Sequence, residues 1–85
     1  MTSVEELERI RKVDAETMAA MQRRADKMRP VWGKVDAAKS SLHAADEYCG
    51  DRDLENAIFS IEETIERLQK ALELARALTA DEDFK

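Results

Sequence analysis

Glycine and proline are nearly missing: the chain has two of the first and one of the second in 85 residues. So few breakers leave few places to turn, which points away from turn-rich β folds and toward long helices. One cysteine cannot close an internal disulfide, so the usual support for an oxidising compartment is lacking. One histidine cannot supply the paired Glu-x-x-His ligands of a di-iron bundle. Two glycines leave no loop to cradle a phosphate, and no pattern places a Ser-His-Asp set. No apolar run approaches the roughly 18 residues of a membrane span. The opening MTSVEELERI is charged from its fifth residue and has no apolar core, so it does not read as a secretory signal. The expectation is a cytoplasmic protein that is not an enzyme, carries no cofactor or metal and has no membrane partner.

What the chain does have is charge on a helical pattern. It is 44% hydrophobic and 39% charged, and the apolar residues are too regularly spaced for disorder. The net charge of −5 is unevenly spread. Residues 1–42 hold nine Lys/Arg against seven Asp/Glu, whereas residues 43–85 hold five against twelve. Such a two-signed chain can dock on itself or offer each face to a different partner.

Three helical segments are expected, at about 4–28, 30–49 and 52–79, as one domain over residues 1–79 with a flexible acidic tail at 80–85. In the first, Ser3 and Glu6 fit a capping box. Val4, Leu7, Met18, Met21, Ala25 and Met28 share a face, with Ile10 and Val13 on its flank. Arg11 and Asp14 interrupt that face one turn apart, either at a solvent-exposed gap or as a polar pair that fixes register. In the second segment, Val31, Val35, Ala38, Leu42, Ala45 and Cys49 form a clean stripe of mostly small residues. In the third, Leu54, Ile58, Ile61, Ile65, Leu68, Leu72, Ala75 and Thr79 keep 4-3 spacing for more than three heptads, a coiled-coil-like signal. Glu63–Arg67 and Glu66–Lys70 add i,i+4 support.

The junctions set the architecture. Gly50-Asp51 reads as a corner, with Gly ending one helix in the left-handed conformation and Asp capping the next. An antiparallel hairpin follows, with Cys49 near Leu54, Leu42 near Ile61 and Val35 near Leu68. Pro30 is ambiguous, because Pro can open a new helix or kink a continuous one. The expected fold is all-α, a three-helix bundle containing a coiled-coil-like hairpin. The alternative is a two-helix hairpin whose long, Pro-kinked first helix overhangs and must bury its stripe against another chain.

The stretch HAADEYCGDRD (43–53) gathers the lone His and the lone Cys, yet helical spacing separates them. His43 and Glu47 share an outer face, while Cys49 falls in the apolar stripe, so no tetrahedral metal site converges. DRDLENAIFSIEE (51–63) resembles an EF-hand calcium loop. Asp51, Asp53, Glu55 and Glu62 stand at loop positions one, three, five and twelve, with Ile58 at eight. Asn56 stands where that family has glycine, and no second loop follows. The resemblance would imply a calcium-binding hairpin at 51–62. YCGDRDLENAI resembles the corner between the two helices of a tetratricopeptide repeat, which implies a helical hairpin, although no 34-residue period follows.

Arg23, Arg24, Lys27, Arg29 and Lys34 with Trp32 could meet phosphates and stack on a base, so the basic 23–34 segment raises a nucleic-acid-binding alternative. The acidity of the whole chain argues against it. Off-stripe apolar residues are more suggestive. Phe59 points away from the third stripe among Glu55, Glu62, Glu63 and Glu66. Leu74 and Leu78 form a second ridge, and Trp32 flanks the second stripe. A first helix folded back would cover Leu74, Leu78 and Trp32, whereas Phe59 fits an aromatic anchor for a protein. The expected function is non-enzymatic protein binding by helix-face packing and charge complementarity: an adaptor, assembly chaperone, inhibitor or small structural subunit. The partner is a protein, and it could be a second copy in a homodimer.

Overall fold

The computed structural model describes residues 3–85, apart from the side chains of Ile10 and Val13; the expectation that those two flank the first stripe therefore lies outside the described residues. Two helices form an antiparallel hairpin: α1, Val4–Gly50, and α2, Leu54–Leu78. A single 3-10 turn, Glu82–Phe84, follows. The chain is all-α, and of the two architectures left open it adopts the hairpin with a long first helix. The three-helix bundle is not formed, and the segments expected at 4–28 and 30–49 are one helix.

The reason lies at Pro30. A proline inside a helix removes one hydrogen bond and costs about 3 kcal/mol. Reversing the chain there would need a cap or a left-handed residue, and KMRPVW supplies neither. Helix therefore continues through Pro30 into the buried Val31. At its start, Ser3 Oγ accepts the Glu6 N–H at 3.2 Å, which is the first half of the expected capping box.

The corner lies where the sequence places it, but its chemistry is shifted by two residues. Gly50 is the last helical residue and its φ is not positive. Arg52 takes the left-handed position, with φ 58°. Its N–H donates to the Cys49 carbonyl and the Asp53 N–H to the Tyr48 carbonyl, the paired bonds of a Schellman motif. Asp53, not Asp51, caps α2, accepting the Asn56 N–H at 3.3 Å and the Asn56 side-chain amide at 2.7 Å.

The seam between the helices is built from small side chains. Val31, Ala38, Ser41 and Ala45 of α1 are buried against Ala57, Ser60, Thr64 and Ala71 of α2. Thr64 Oγ1 lies 2.7 Å from Ser41 Oγ, and the Ser41 hydroxyl donates onward to the Ala38 carbonyl at 3.1 Å. Arg67 crosses the seam edge, donating to the Ala37 carbonyl at 2.8 Å and to Glu63 at 2.7 Å. The helix pairing is close to the expected register, but the faces differ. Ala57, Ser60, Thr64 and Ala71 each precede a residue of the large stripe, which rotates that stripe by about 100° out of the seam. Leu54, Ile58, Ile61, Ile65, Leu68 and Leu72 are all exposed, as are Leu42 and Cys49, which the expected pairing buried.

The molecule measures 69 × 28 × 13 Å. Its long dimension is that of α1 alone, since 47 residues at about 1.5 Å each span roughly 70 Å. Its thickness is about one helix diameter. The C-terminal turn reaches back only to Arg23, so residues 4–22 of α1 project past the hairpin. No helix among the described residues is long and apolar enough to cross a membrane.

Candidate interaction surfaces

Three surfaces stand out. The first is the large stripe of α2. Rotated out of the seam, it runs beside Leu42 of α1, with Leu54 73%, Ile65 50% and Leu42 58% exposed. Exposed apolar rows of this length mark interaction sites in soluble proteins. The expected core stripe is thus an outer surface.

The second surrounds Phe59, which is 65% exposed. Its ring and the side chains of Glu62, Glu63 and Glu66 line one shallow depression, so four of the residues singled out for partner binding come together. Glu55 lies one turn earlier and outside that depression. Trp32 is elsewhere, in a groove of α1 with Arg29, Gly33 and Asp36. Leu78 is half-buried and lines one depression with Met28 and with Phe84 of the tail; no folded-back helix covers it. Leu74 remains at the exposed edge of the seam.

The third is an electrostatic clasp at the end of α2. Asp81 Oδ1 accepts the Asp83 N–H at 2.9 Å and shapes the 3-10 turn. The Lys27 ammonium donates to Asp81 at 2.8 Å and to Asp83 at 2.7 Å. Arg23 meets Asp83 at 3.3 Å, and Arg24 donates to the Asp83 carbonyl. The hydrogen bond from Lys27 holds both carboxyls below their usual range, and Arg23 adds to the effect at Asp83. The bonds to Asp81 and then Asp83 hold Lys27 above its usual value. Residues 80–85 are thereby placed against α1. Three cations of the basic segment face this acidic turn, and Arg29 pairs with Asp26 at 3.3 Å. Sequence reasoning overlooked the clasp, although the opposite charges of 23–29 and 81–83 were a signal for it.

The remaining candidates are dispersed. Arg11 and Asp14 are both exposed on the projecting part of α1, and no ion pair joins them among the described residues. His43 pairs with Glu47 at 3.2 Å on the outer face, as its spacing implies. Of the calcium-loop positions, 54–62 are helical and Asp53 is engaged as a cap, so the backbone does not form a loop there. No protein-family model, curated protein or solved structure matches this chain.

Proposed function

We propose that this protein is a non-enzymatic binding module that acts by packing an apolar helix face against another protein. The observation that supports this is the inversion of the hairpin: small residues fill its seam, and the large aliphatic residues of α2 face outward. Among the described residues, no large side chain is fully buried. A core this thin offsets little of the chain entropy lost on folding, whereas covering the outer stripe would add the missing apolar burial. On another face of α2, Phe59 with Glu62, Glu63 and Glu66 forms a second surface that combines an aromatic anchor with negative charge.

The test is a comparative capture from native lysate, with wild-type chain and an Ile61→Asp/Leu68→Asp variant as baits. Both substituted positions are solvent-facing, so far-UV circular dichroism should stay helical. The proposal expects at least one protein, self included, to be retained by the wild type and lost by the variant. Identical capture by both baits refutes it.

A further inference from the structure

The unbroken helix changes the meaning of the first stripe. Continued past Pro30 without a change of phase, it reads Val4, Leu7, Arg11, Asp14, Met18, Met21, Ala25, Met28, Trp32, Val35, Lys39, Leu42, Asp46 and Cys49. The spacing alternates three and four from end to end, a heptad pattern that favours a left-handed supercoiled partner. All of these residues are exposed except Val35, which is half-buried. On the hairpin, the stripe lies on the same side of the seam as the large residues of α2. Beyond the hairpin it continues on the projecting segment.

Two open surfaces therefore have matching lengths. The projecting segment, 4–22, is as long as the α2 stripe, 54–72. We propose that a second copy of this chain covers both at once, in a symmetric antiparallel dimer in which the projecting half of each α1 lies in the apolar groove of the other copy's hairpin. This rests on the binding reading above and names its partner. Each end of such a dimer is a three-helix bundle made of one hairpin and the first half of the other copy's α1. It is the bundle expected from sequence, assembled between chains because α1 does not bend back.

Charge selects this arrangement. Aligning the two stripes along their full length sets Met18 against the second copy's Val35, Met21 against its Trp32 and Ala25 against its Met28. One pair of polar interruptions then coincides, Asp14 with the second copy's Lys39, while Arg11 falls opposite its Leu42 and Leu7 opposite its Asp46. On the flank, Glu8 meets its His43. A parallel dimer would instead stack Arg11 on Arg11, Asp14 on Asp14, Lys39 on Lys39 and Asp46 on Asp46, each a like-charge contact. An isologous two-fold contact also closes on itself, leaving no stripe to propagate.

The same alignment places Val4 of one copy beside Cys49 of the other, and Cys49 is free and exposed. The test uses the full chain. Light scattering should report twice the 9.7 kDa of the monomer. Asp14→Lys and Lys39→Asp should each weaken self-association by about tenfold or more, and the double variant should recover it. Val4→Cys, mildly oxidised, should give a disulfide-linked dimer on a non-reducing gel. A monomer at all concentrations overturns the proposal, as does an internally cross-linked monomer or no cross-link at all. Linkage that survives Cys49→Ser marks parallel pairing and also overturns it. If the chain is monomeric yet the Ile61→Asp/Leu68→Asp variant loses a captured protein, the binding reading stands and only the self-pairing fails.

Discussion

Arg52 carries a backbone conformation that its own side chain disfavours. A non-glycine residue at φ 58° costs roughly 1 kcal/mol, while Gly50, two positions earlier, sits in helix where its freedom is a liability. Arg52→Gly should therefore stabilise the hairpin by up to about 1 kcal/mol, read as a higher urea midpoint with an unchanged slope. A lower midpoint would show that the Arg52 side chain contributes something the corner geometry does not. The corner itself was legible from Gly50-Asp51, but its exact chemistry was not. Which residue turns left-handed depends on where the Schellman bonds close, and Gly, Asp, Arg and Asp in succession allow more than one choice. Spacing likewise assigned His43 and Glu47 correctly to one outer face and misplaced Cys49 in the core.

At the scale of the helices, periodicity was easy to read and facing was not. α2 carries two adjacent rows at heptad spacing, one large and one small. Sequence reasoning sends the large row inward because it has more area to bury. Two lone helices instead meet through Ala38, Ala45, Ala57 and Ala71, where backbones approach closely. The large row is left facing outward. Overfilling this seam should be costly: Ala57→Leu is expected to destabilise by about 1–3 kcal/mol, measured by thermal unfolding. Pro30→Ala should do the opposite, with a gain of up to about 3 kcal/mol and no change of architecture.

The C-terminal clasp has its own pH range. Asp81 and Asp83 have lowered pKa values, so what they contribute is present above the ordinary carboxylate range and lost as pH falls through their folded values. Lys27 has a raised pKa, so its contribution is present below the ordinary lysine value and lost as pH rises through the folded one. The turn should stay docked across neutral pH and release at both extremes, followed by the amide signal of Phe84. Lys27→Ala should release it at neutral pH, seen as faster trimming by carboxypeptidase.

As a whole, the molecule is far longer than its residue count suggests. A compact 85-residue domain has a radius of gyration of roughly 12 Å, against 21.0 Å here. Small-angle scattering on the dilute monomer should return a value near the larger figure. Collapse toward the smaller one would mean that α1 folds back at Pro30 in solution. The helical class and the hairpin could be read from composition and the Gly50 corner. The overall shape could not, because it turns on one junction where proline permits both outcomes and only the lack of a reversal signal decides.

Trp32 gives the chain an optical consequence. It is the only tryptophan, it is 67% exposed, and it stands in the α1 stripe. Its emission therefore reports on a single place. An indole in water emits at longer wavelengths than one enclosed by aliphatic groups, so in the proposed dimer concentration should move the spectrum blue and dilution should move it red. The chain needs no added dye to show, in a cuvette, whether its longest face is wet or dry.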